Sequence, residues 1–134
     1  MQRYKELVEV AQKYYPRDSG YCTVIALAVV TGWAFGKARS VMYRQHGRTD
    51  RKGSTVSKLN DAIIAQGFAV IRRDKTLYGK TLKTIQRSNN MSMGTFLIYT
   101  KQHVTVMKDG VCEDWSNNEI RPTLYKVESV YEII

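Results

Sequence analysis

Apolar residues recur at helical spacing through the first half of the chain and in alternation through the second. Leu7, Val8, Val10, Ala11 and Tyr14 mark one side of an amphipathic helix over residues 2–14, which ends before Pro16. Residues 22–31, Cys22-Thr23-Val24-Ile25-Ala26-Leu27-Ala28-Val29-Val30-Thr31, form a nearly unbroken apolar run that stops at Gly32. A helix apolar all round is covered on most sides. Gly36 to His46 predicts a third helix with Val41 and Met42 inward and Gly47 as its C-cap. After a polar, basic link from Gly47 to Gly53, Ser54 or Thr55 can cap a fourth helix through Leu59, Ala62, Ile63 and Ile64, stopped at Gly67. Phe68 to Ile71 reads as a short strand. Thr81 to Arg87 reads as a short helix with Leu82 and Ile85 as its apolar contacts, and Ser88 to Gly94 as a loop.

From Thr95 the period changes to two. Phe96-Leu97-Ile98-Tyr99 predicts a central strand, and Val104, Val106, Val111, Tyr125-Lys126-Val127 and Val130-Tyr131-Glu132-Ile133 continue the pattern. Asp109-Gly110 is a preferred pair for a two-residue type I′ turn. With that turn Lys108 pairs with Val111, Thr105 faces Asp114 and His103 faces Ser116. Those four polar residues, His103, Thr105, Asp114 and Ser116, then share one face, with His103 and Asp114 as diagonal neighbours. The expected class is α+β, N-terminal helices packed on a C-terminal antiparallel β-sheet. With 134 residues and no repeat, low-complexity tract or linker, the expectation is one domain over 1–134.

Composition excludes some classes and adds one surface. An apolar fraction of 43% is far above that of a disordered chain. No apolar run reaches the roughly 18 residues of a membrane span, and no apolar segment follows Met1-Gln2-Arg3-Tyr4-Lys5-Glu6, so a cytoplasmic protein without membrane contact is expected. A reducing compartment argues against a disulfide between the two cysteines and against use of the sequon Asn90-Met91-Ser92. The net charge is +9. Lys37, Arg39, Arg44, Arg48, Arg51 and Lys52 lie in one stretch opposed only by Asp50; Arg72, Arg73, Lys75, Lys80, Lys83 and Arg87 lie in another with Asp74. The first stretch is a candidate partner-binding basic face for an acidic protein or nucleic acid, although neither carries a nucleic-acid motif. A solvated face that keeps the chain soluble is the plainer reading of both.

Cys22 is the candidate nucleophile. It follows the turn-forming stretch Pro16-Arg17-Asp18-Ser19-Gly20-Tyr21 and opens the buried helix. The positive end of a helix dipole there favours the thiolate, the reactive form. A strand His103 and a following Asp114 complete the order of a cysteine nucleophile, its base and the base's orienter. Each residue also has an ordinary role open to it. Cys22 can be a small core residue, His103 an exposed strand histidine and Asp114 a surface acid near a turn. Alternation puts Cys112 in the core, and His46 reads as a solvated helix end. Cys22, Cys112, His46 and His103 lack the close ligand pairs of a zinc site, so no metal or cofactor is expected. Trp33 and Trp115 read as core or cleft walls.

The order of Cys22, His103 and Asp114 resembles that of papain-like cysteine peptidases. More narrowly, the chain resembles small phage and prophage papain-like proteins of the bacteriocin-processing-peptidase type. Cys22-Thr23-Val24-Ile25-Ala26-Leu27-Ala28, Thr31-Gly32, Gly47-Arg48, Arg51-Lys52-Gly53-Ser54, His103-Val104-Thr105-Val106, Asp109-Gly110 and Asp114 carry the likeness, over residues 17–116. It implies a papain-like fold with Cys22 as nucleophile, His103 as general base and acid, and Asp114 as orienter. Two departures stand out. Papain-like enzymes place a Gln several residues ahead of the Cys as oxyanion donor; here Pro16 has that offset and the nearest is Gln12, which leaves Ser19 or a backbone N–H as the oxyanion candidate. Gln102, not a small Gly, precedes His103.

The expected function is that of a phage-encoded cysteine hydrolase, whether peptidase, deconjugase, amidase or acyl transferase, acting on a peptide or protein substrate in the host cytoplasm. The alternative is a catalytically idle effector of the same fold that binds an acidic host protein or nucleic acid through its basic face. The sequence leaves the oligomeric state open.

Overall fold

The computed structural model of the chain describes residues 2–18, 20–49, 54–73, 78–86, 93–101, 103–112 and 126–134. The architecture is α+β: four N-terminal helices followed by an antiparallel sheet. Two compact units divide it, Met1–Phe68 and Ala69–Ile134.

The first unit holds α1 (Gln2–Tyr14), α2 (Cys22–Thr31), α3 (Phe35–His46) and α4 (Val56–Ala65). α2 contacts α1, α3 and α4, and Thr23 through Val29 are all buried, as its apolar sequence requires. Its end is closed twice: the Gly32 N–H donates to the Ala28 carbonyl at 2.8 Å, and the Thr31 hydroxyl donates to Leu27 O at 2.7 Å. α3 begins one residue earlier than predicted, because the extended backbone of Ala34 ends there and Phe35 already turns into the core beside Ala38 and Met42. Met42 is buried as expected and Val41 only partly so. Gly47 at φ 68° ends α3 in the left-handed conformation that glycine adopts without a Cβ penalty. Of the two candidate caps for α4, Thr55 is used: its hydroxyl accepts the Lys58 N–H at 3.2 Å.

The second unit holds β1 (Val70–Arg72), α5 (Leu82–Gln86), β2 (Thr95–Thr100), β3 (His103–Lys108), β4 (Val111–Cys112) and β5 (Val127–Ile133). The sheet order is β1-β5-β2-β3-β4 and all its pairings are antiparallel. β2 therefore lies inside the sheet, as the Phe96–Tyr99 run predicts, and the short β1 and β4 form its edges. The hairpin has the predicted register, with Lys108 opposite Val111 and Met107 opposite Cys112. Asp109 at φ 48° and Gly110 at φ 84° make the mirror-image turn that matches strand twist. Asp109 also exchanges hydrogen bonds with Gly94: its N–H donates to Gly94 O, and its Oδ1 accepts the Gly94 N–H, each at 2.9 Å.

Alternation sets the two faces of this sheet. Phe96 and Ile98 of β2, Met107 of β3 and Val127 and Val130 of β5 share one face and form a core cluster with Leu82 and Ile85 of α5. Leu97, Tyr99, Val104 and Val106 occupy the other face and are buried too. A strand buried on both sides reads as a continuous apolar run, which is how Phe96-Leu97-Ile98-Tyr99 reads.

Candidate active site

Cys22 is the first residue of α2, half-buried, and forms no disulfide among the described residues. Tyr21 caps the helix through its backbone alone: its carbonyl accepts the Ile25 N–H at 3.0 Å and its side chain makes no capping bond. The first N–H groups of a helix have no partner within it, so Cys22 belongs to the turn that carries the positive end of the α2 dipole.

The chain that leads to Cys22 is fixed at three places. At its start, the Tyr15 ring lies 5.5 Å from the Phe35 ring. At its end, Tyr21 meets the same Phe35 edge-on at 5.6 Å. Between them Asp18 is buried and bound by two arginines. Arg48 donates from Nη1 to Asp18 Oδ2 at 2.8 Å and from Nη2 to Oδ1 at 2.9 Å; Arg39 donates from Nε to Oδ2 at 3.1 Å. The Arg39 guanidinium also lies over the rings of Tyr15, at 4.5 Å, and Tyr43, at 5.1 Å. Side-chain exposure is 0% for Arg48, 1% for Asp18 and 20% for Arg39.

This network corrects the expected basic face. Arg48 is an interior residue, and Arg39 is turned onto Asp18 and two tyrosines. Both belong to the scaffold of the Cys22 turn because a buried carboxylate must be paired. Lys37 and Arg44 are exposed on α3 as expected, Lys37 with its ammonium 4.4 Å from the Trp33 ring. Arg51 and Lys52 lie outside the described residues. The sequence did hold a signal for the network: Asp18 is the one acid between Glu9 and Asp50, in a segment rich in arginine and lysine.

His103 opens β3 and is partly buried. It shares a strand face with Thr105 and Met107, as predicted for His103 and Thr105, and stands directly opposite Thr100 of β2. That face is not a polar surface: toward Met107 it is the core under α5, and Thr105 is 0% exposed. The hydroxyls of Thr100 and Thr105 are buried and have no hydrogen-bond partner among the described residues. Asp114, the predicted orienter, and Ser19, the oxyanion candidate, lie outside the described residues, as do Ser116 and the side chain of Cys112. His46 is not a solvated helix end: the residue is half-buried and its Nε2 is shielded from solvent without a partner among the described residues. Among the described residues no three His, Cys, Asp or Glu side chains are grouped to hold a metal ion, and no single helix is long and apolar enough to cross a membrane.

No family model, curated protein or solved structure matches the chain.

Proposed function

We propose that the protein is a cysteine hydrolase or acyl transferase of papain-like fold that acts on an amide bond of a peptide or protein. The observation that carries this reading is Cys22 itself: a half-buried cysteine at the first residue of a buried helix, at the end of a turn held by ring contacts and an ion-pair network. The resemblance of the Cys22, His103 and Asp114 segments to papain-like peptidases supports it, as does the Asp109-Gly110 hairpin register on which the pairing of His103 with Asp114 depends.

The chemistry follows from these residue types. The Cys22 thiol gives its proton to the His103 imidazole, and the thiolate attacks the carbonyl carbon. The tetrahedral intermediate collapses as the C–N bond breaks, and His103 returns the proton to the departing amine. Water, or an acceptor amine, then gives a proton to His103 and displaces Cys22 from the thioester, which frees the acid or the new amide. Asp114 accepts the second imidazole N–H and stabilises the imidazolium.

The test is turnover of a mixed peptide and isopeptide library, read by mass spectrometry. Cleavage by wild type and none by Cys22→Ala, with equal melting curves, supports the reading. Equal cleavage by both proteins, or none by either, contradicts it.

The second reading is a binder whose triad is idle, and the exposure of Lys37 and Arg44 on α3 favours it. It predicts affinity for a polyanion that falls steeply with salt and is indifferent to Cys22→Ala.

A further inference from the structure

We propose that Asp18 is a positioning residue for Cys22, acting through its ion pairs with Arg48 and Arg39; this rests on the cysteine-hydrolase reading. Asp18 lies four residues ahead of Cys22 in the segment between α1 and α2, and its own N–H closes the preceding turn by donating to Tyr15 O at 3.0 Å. The segment is tied down by rings at both ends, Tyr15 and Tyr21 on Phe35. Ring contacts tolerate sliding, whereas a two-point guanidinium–carboxylate pair fixes both distance and orientation. Arg48 is itself fixed: Gly47 turns the chain back at the end of α3, and the Arg48 N–H donates to Met42 O at 3.0 Å. The Cys22 turn is therefore referenced to α3 at two levels, through Arg39 within the helix and Arg48 just past its end.

Positioning and plain electrostatics predict opposite results on loss of the Asp18 charge. Asp18→Asn removes the negative charge that faces two arginines beside the segment, and by charge alone this favours the thiolate. Loss of position instead uncouples the thiol from its base and makes it an ordinary cysteine.

The experiment is the pH profile of Cys22 alkylation by iodoacetamide, read by mass spectrometry on the full chain, with circular dichroism melts alongside. The variants are Asp18→Asn, Asp18→Leu with Arg48→Met, Arg39→Gln and His103→Ala. The double variant removes both buried charges together, a change that buried ion pairs often survive. Arg39 is partly exposed, so Arg39→Gln reports on the network even where Asp18→Asn fails to fold.

The expected result is a wild-type profile below the ordinary thiol value of about 8.5, moved up toward it in the folded Asp18 variants. On the acid side, alkylation slows roughly tenfold for every tenfold fall in the thiolate fraction. Arg39→Gln moves the profile part of the way. Folded variants that keep the wild-type profile, or move it downward, overturn the proposal. A wild-type profile that responds to His103→Ala while the Asp18 and Arg39 variants change nothing removes this proposal alone. A wild-type profile indifferent to His103→Ala removes the catalytic reading and this proposal with it.

Discussion

His103 and Thr100 face each other across β2 and β3 at the far end of those strands from the Asp109-Gly110 turn. Thr100 also pairs with Val127 of β5, past a bulge that opens between Tyr99 and Thr100. The β2–β3 ladder itself stays regular through His103, so the irregularity lies on the β5 side of Thr100. Thr100 on one side and Thr105 two residues along place two buried hydroxyls next to it on the same face.

Those hydroxyls are costly. A buried hydroxyl without a partner forfeits its bonds to water, so Thr105→Val is expected to raise unfolding stability by about 1 kcal/mol. Urea denaturation followed by circular dichroism measures it. A loss of similar size would show that the Thr105 hydroxyl holds a partner in solution.

Arg48→Met alone removes the two-point partner of the Asp18 carboxylate in the interior and leaves it the Arg39 contact. It is expected to cost about 3–5 kcal/mol, and adding Asp18→Leu is expected to restore most of that. The same denaturation experiment reads both variants. If Arg48→Met is neutral by itself, the pair is not buried as described.

Lys37 and Arg44 differ from Arg48 in kind. Lys37→Ala and Arg44→Ala are each expected to change stability by no more than about 0.5 kcal/mol. If the protein binds a polyanion through this helix, each removal also lowers the slope of log affinity against log salt by about 1. Fluorescence anisotropy with a labelled single-stranded oligonucleotide gives that slope. An unchanged slope in both variants would place any such contact elsewhere.

The turn sets the hairpin register, and Gly110 has φ 84°. Gly110→Ala forces a Cβ into that conformation and is expected to destabilise the fold by about 1 kcal/mol. A melt with the wild-type midpoint would contradict the turn assignment.

Much of the fold was legible because its signals are local. The apolar run after Cys22, Gly47 after a helical pattern, and Asp-Gly between alternating segments each report a conformation set by near neighbours. The same locality gave Cys22 its place at the start of α2 and His103 its place on a strand. The errors fell where the answer depends on residues distant in sequence. Arg48 reads as one more cation in a basic stretch until Asp18, 30 residues earlier, is seen to hold it in the interior. Thr105 reads as part of a polar face until Leu82 and Ile85 of α5 cover that face with core. His46 looks like a solvated end because the sequence shows its charged neighbours and not its burial.

The coupling of Cys22 to His103 is read from the reactivity of Cys22 toward iodoacetamide across pH, in wild type and in His103→Ala, with the modified residue identified by mass spectrometry. In wild type the thiolate is expected to persist well below the ordinary thiol value of about 8.5, and the profile to move toward that value when the imidazole is removed. A Cys22 that alkylates as an ordinary thiol, identically in both proteins, would contradict that coupling and leave the exposed cations of α3 as the part of the molecule to pursue.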